Sequence, residues 1–238
     1  MDQVSDAPLR RVAITGGNIR LYPDWSRLKA YFENNDLHPT LGIHYLNCDS
    51  KFIQEAQKFN IDLFVSFPIN EPVWVETLRM AGENMRFVFM VTSEEEYDAC
   101  ANIIENQNIT NCDVRPVFTG ANLDFFIKEV FLNEEEILGD VVSQRMIFAH
   151  QKLNTNFFGN IWLLPNGDVK ANPNGRVLGN IAKEPVASLL EKELSGTDFW
   201  RNIRNGQPCS DCLLQYLCPS PSNYELVIGR NNLCNVKL

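Results

Sequence analysis

A chain of 238 residues, 45% hydrophobic and 11% aromatic, can bury the core of one large domain or of two modest ones. Its formal charge of -9 argues against a nucleic-acid binder, because nothing offsets phosphate repulsion and no dense Lys/Arg cluster is present. The opening MDQVSDAPLRR lacks the apolar centre of a signal peptide, and no run approaches the length of a membrane span. A cytoplasmic protein is expected, without nucleic-acid or membrane partners.

From residue 10 to about 131, short β-rich runs alternate with helical ones. RRVAITGG reads as a strand closed by two glycines, and YPDWSRLKAYFENND follows with helical spacing of Trp25, Leu28, Tyr31 and Phe32. PTLGIHYLN and SKFIQEAQKF form the second strand and helix, IDLFVSFP and EPVWVETLRMAG the third. MRFVFMVTS with EEEYDACANIIENQ, then DVRPVFTG with LDFFIKEVF, complete five βα units. The strands are continuously apolar, as in a parallel sheet covered by helices. Ser50, Asn70 and Ser93 sit where N-caps belong, and Glu94-Glu95-Glu96 complements a helix dipole. No glycine-rich phosphate loop is present, so a nucleotide-binding doubly wound sheet is disfavoured and a barrel-like arrangement fits. Its site would lie at the strand ends: Gly16-Gly17-Asn18, Asn47-Cys48-Asp49, Pro68-Ile69-Asn70, Thr92-Ser93 and Thr119-Gly120-Ala121-Asn122.

The character changes near residues 140–150. FFGNIWLLPNGDVKANPNG reads as a hairpin, and VLGNIAKEPVASLLEKEL leads into a short helix. The segment CSDCLLQYLCPSPSNYELVIGRNNLC then holds four of the seven cysteines. Cys209 and Cys212 make a C-x2-C knuckle, Cys218 follows after five residues with Pro219 behind it, and Cys234 returns after fifteen more. Four thiolates suit tetrahedral zinc or one iron–sulfur cluster, although the spacing is not that of a zinc ribbon with two knuckles. Disulfides are disfavoured without a secretory signal. Of the scattered residues, Cys48 reads as a small buried side chain, and His38, His44 and His150 as satisfied or surface imidazoles. No Ser/His/Asp arrangement stands out.

The C-x2-C-x5-C triplet with its later cysteine resembles the C-terminal SPASM domain of peptide-maturing radical SAM enzymes. CPSPSNYE…IGRNNLC resembles members found beside small peptide genes in Bacteroides-type bacteria, and PNGDVKANPNGRVLGNI resembles that domain's lead-in hairpin. VAITGG resembles the SAM-contacting Gly-Gly-Glu turn on the second strand of the radical SAM barrel. The resemblance implies an α/β fold: a partial (β/α) barrel of about five βα units over residues 1–145, then a small Cys-rich SPASM-like α+β domain over 146–238. It implies one 4Fe-4S cluster on Cys209, Cys212, Cys218 and Cys234, with zinc as the alternative.

The departures from the family are as telling. A second auxiliary cluster would need cysteines where Ser222 and Asn172 stand, and another within residues 151–157, which contain none. The C-x3-C-x2-C loop of the catalytic cluster is missing, and the carboxylate of the Gly-Gly-Glu turn is Asn18. Gly16, Gly17 and Asn18 therefore stand as a vestigial SAM turn, with a plain strand-ending turn as the simpler reading. The chain begins at what resembles the second barrel strand, as a pseudo-radical SAM protein shortened at its N-terminus would. No SAM is expected, and no catalytic residue is assigned.

Three functions follow. The first is a non-catalytic partner in maturation of a ribosomally made peptide, binding the precursor peptide, an active radical SAM maturase or both, with self-association also open. The second is a fragment of an active maturase whose SAM-cluster segment lies upstream. The third is an unrelated barrel enzyme with a structural zinc site made by the four cysteines.

Overall fold

The computed structural model describes residues 11–35, 37–196 and 198–236. Part of the expected first strand, at Arg10, lies outside the described residues. Five parallel strands form one sheet in the order β1-β2-β3-β4-β5. They are β1 Ala13–Thr15, β2 Thr40–His44, β3 Asn60–Ser66, β4 Met85–Val91 and β5 Cys112–Pro116. Helices α1 Trp25–Asn34, α2 Ser50–Glu55, α3 Glu71–Met80 and α4 Glu94–Asn106 alternate with them. This is the mixed α/β pattern read from the sequence, consistent with a partial β/α barrel.

Pleating divides the sheet faces chemically. Ile61, Leu63 and Val65 of β3 and Phe87 and Phe89 of β4 are buried, and Trp74 of α3 packs edge-on against both Phe rings. On the opposite face of the same strands, Asp62 and Arg86 are register partners joined by two hydrogen bonds of 2.9 and 2.6 Å. Gly42 of β2 allows a close approach on that face, because a Cβ there would lie 2.8 Å from the Phe64 ring and 2.9 Å from Thr15 Oγ1.

Asn70 and Ser93 cap their helices through bonds from Val73 N and Glu96 N, both 3.3 Å. Ser50 does not cap α2. Asp49 holds the extended backbone a cap requires, and its carboxylate accepts from Phe52 N at 2.7 Å, which makes Ser50 the first helical residue.

The chain parts into two compact units between Thr119 and Gly120. The physical reason is helix α5, Leu123–Glu129, which follows β5 in sequence but belongs to the C-terminal unit. Its Phe126 ring meets Tyr224 at 5.1 Å, and Asn235 Nδ2 donates to Ile127 O. Just beyond it, Leu132 bridges to Cys234 through backbone bonds on both sides.

The C-terminal unit continues with α6 Glu134–Gly139 and α7 Gln144–His150. An antiparallel sheet follows, β6 Trp162–Leu163, β7 Asp168–Lys170 and β8 Gly179–Asn180, with α8 Val186–Ser195 and α9 Asn223–Ile228 after it. The Pro-Asn-Gly-Asp turn joins β6 to β7 as expected, with Gly167 at φ 86°. Phe157, Val169, Ala171, Leu178, Leu189 and Trp200 form this unit's core. Among the described residues, no helix is long and apolar enough to cross a membrane.

Candidate metal centre

Successive tight turns build the cysteine segment. Cys209 opens a 3-10 turn, Cys209–Asp211, and Cys212 closes it with its N–H on Cys209 O at 3.2 Å. Gln215 N then donates to Cys212 O, and Cys218 N to Leu214 O at 3.0 Å, which curls the triplet back on itself. Cys234 arrives from the far end of the unit on the bridge to Leu132. All four thiols are free of disulfides and line one cavity of about 40 Å³. That is several-fold the roughly 10–15 Å³ one water needs.

Two of the sulfurs already accept N–H donors: Cys234 Sγ from Asn232 Nδ2 at 3.0 Å and Cys212 Sγ from Leu214 N at 3.4 Å. Arg204 lines the same cavity. Burial pushes the Cys218 thiol up to about 11 and raises that of Cys209, with the Arg204 charge opposing both shifts. Among the described residues, no three His, Cys, Asp or Glu side chains already stand as a set that could hold a metal ion. The donor set is nevertheless chemically uniform: four sulfurs around a cavity walled by Leu132, Ile137 and Leu233. That chemistry fits a thiolate-ligated metal group, which would have to draw the sulfurs inward on binding.

The positions linked with a second cluster are occupied by hydrogen-bonding side chains. Ser222 is the N-cap of α9 in a capping box with Glu225. Asn172 is fully buried and accepts from Asn174 N at 2.8 Å. In the stretch 151–157, Asn154 is fully buried and donates to Asn202 O and Pro221 O, while Asn156 donates to Ser220 O. His150 is held by its Nδ1 against Tyr216 O at 2.9 Å, a structural role.

In the N-terminal unit, Gly16 and Gly17 take φ values of 128° and 43°, which only glycine adopts easily, with open space where a Cβ would go. Asn18 turns its amide oxygen onto Arg20 N at 3.1 Å, capping the 3-10 turn Ile19–Leu21. Arg20 in turn reaches Asp49 at 2.7 Å, tying the turn after β1 to the one after β2. Cys48 is buried, and burial with the neighbouring Asp49 pushes its thiol up to about 11, the opposite of an activated nucleophile.

The structure also forms a pair that the sequence does not reveal, at the ends of β2 and β3. His44 Nε2 lies 2.9 Å from Ser66 Oγ, while His44 Nδ1 accepts from Leu46 N at 3.4 Å. With Nδ1 accepting, the neutral ring carries its proton on Nε2 and donates it to Ser66. A base that activates serine needs the reverse.

The fold is a parallel α/β sheet followed by a Cys-bearing unit. It is similar to the crystal structure of Streptococcus suis SuiB at a TM-score of 0.57 and 13% identity, covering 100% of this chain and 69% of that one. No family model and no curated protein matches the chain.

Proposed function

We propose that this protein is a non-catalytic, radical SAM-like partner in the maturation of a ribosomally made peptide, holding one 4Fe-4S cluster through Cys209, Cys212, Cys218 and Cys234. The observation that carries the reading is the single cavity lined by all four thiols, with N–H donors on two of the sulfurs. Such donors stabilise thiolate charge and are among the features that set a cluster's potential. The likeness to SuiB supports a setting in peptide maturation. When bound, the cluster supplies folding energy and a one-electron redox centre.

The chain's own residues support a non-catalytic role. Asn18 presents no carboxylate to a SAM amine and commits its amide to the local turn. The three remaining cysteines belong to separate elements: Cys48 precedes α2, Cys100 lies within α4 and Cys112 starts β5. The partner is the precursor peptide, an active maturase or both. β1 stands at one end of the described strand order, where a peptide could pair as an added strand. The test is SAM turnover by the anaerobically prepared, cluster-loaded chain under a strong chemical reductant. No 5′-deoxyadenosine is expected, and its formation by this polypeptide alone would overturn the non-catalytic assignment.

A further inference from the structure

We propose that Arg204 is the positioning cation of the cysteine centre: Glu225 and the Pro219 carbonyl hold its guanidinium at the wall of the thiol cavity, where its charge offsets that of the metal-bound thiolates. This rests on the cluster reading above.

The side chain is anchored on several sides. Arg204 Nη1 lies 2.8 Å from Glu225 Oε1, in a pair whose side chains are only 10% and 5% exposed. Nε donates to Pro219 O at 2.6 Å, directly after the ligand Cys218. Gln215, between Cys212 and Cys218, donates its side-chain amide to the Arg204 carbonyl. Glu225 is fixed independently, because it is the N3 residue of the α9 capping box and accepts from Ser222 N.

A structural strut would need no more than this, yet Arg204 also lines the cavity that all four thiols share. Among the described residues lining that cavity, it is the one cation. A tetrathiolate cluster is a net anion, and uptake of an electron makes it more so. A cation in this largely desolvated position favours the reduced state, and Glu225 behind it opposes that effect. Arg204 and Glu225 therefore act on the cluster with opposite sign.

The experiment is a redox titration of the anaerobically reconstituted full chain. A chemical reductant supplies one electron per cluster, no bond in the chain forms or breaks, and the visible absorbance is followed. Arg204→Gln should move the midpoint potential negative. Glu225→Gln keeps the capping-box geometry while removing the opposing charge, and should move it positive. Arg204→Lys keeps the charge without the planar fork, so it should hold the potential near wild type while retaining less cluster. If Arg204→Gln does not hold a cluster, the positive shift in Glu225→Gln still carries the test. Shifts of the same sign, or none in Glu225→Gln, reduce Arg204 to a strut and overturn the proposal. A wild-type chain that reconstitutes colourless overturns the cluster reading instead, and this inference falls with it.

Discussion

Replacing Asn154 by Ala tests whether hydrogen bonds alone hold the stretch in which the resembled family's second cluster would take a cysteine. Its side chain is fully buried and makes three bonds: Nδ2 to Asn202 O at 3.0 Å, Nδ2 to Pro221 O at 2.9 Å, and Oδ1 from Asn156 N at 3.0 Å. At about 1 kcal/mol net per bond, with any unpaired buried carbonyl adding to the loss, the variant should lose about 3 kcal/mol. That is a large share of the roughly 5–15 kcal/mol that stabilises a typical protein. Asn156→Ala is the control, because Asn156 is exposed and its Nδ2 bonds to Ser220 O at 2.8 Å and Pro221 O at 3.4 Å can be replaced by water. It should cost less than about 1 kcal/mol. Denaturant unfolding followed by fluorescence of the buried Trp200, on metal-loaded and metal-free protein, measures both variants. A loss below about 1 kcal/mol for Asn154→Ala, or equal losses for the two, would refute the reasoning.

Three further outcomes are expected. Cys212→Ala should abolish bound metal and speed amide exchange across residues 200–236, because metal binding is coupled to folding; unchanged exchange would separate the two. In the folded protein Cys48 and Cys100 should resist alkylation at pH 8, since burial raises their thiols to about 11 and about 12, and both should react once the chain is unfolded. The linked stability follows from the same shifts. It is full below the ordinary thiol value of 9.0 and is lost as pH rises through about 11, so alkaline unfolding should begin in that window.

Much of the N-terminal unit was legible because its signals are local. Apolar runs such as MRFVFMV became strands, and short polar side chains such as Asn70 and Ser93 became caps. The cap of α2 was misplaced by one residue because Asp49 and Ser50 are both good caps, and backbone geometry decides between them. Helix α6 was missed although Asn133 and Glu136 form a capping box visible in the sequence. The break at Thr119–Gly120 was not legible, because it depends on contacts between residues far apart in sequence, such as Phe126 with Tyr224. The cysteine spacing marked four residues that line one cavity. Arg204, Glu225 and Asn232 were not singled out, since nothing near them in sequence shows that they fold toward it. Glu193 was missed for the same reason: it is fully buried on α8, and its Oε1 accepts from both Phe199 N and Trp200 N.

The most direct test of the central claim is the metal and sulfide content of the full chain purified without oxygen. The four thiols around one cavity predict a brown protein with close to four irons and four acid-labile sulfides per chain, roughly what one cubane requires. A colourless protein carrying about one zinc per chain and no sulfide would contradict it, leaving the cysteines as a tetrahedral structural site.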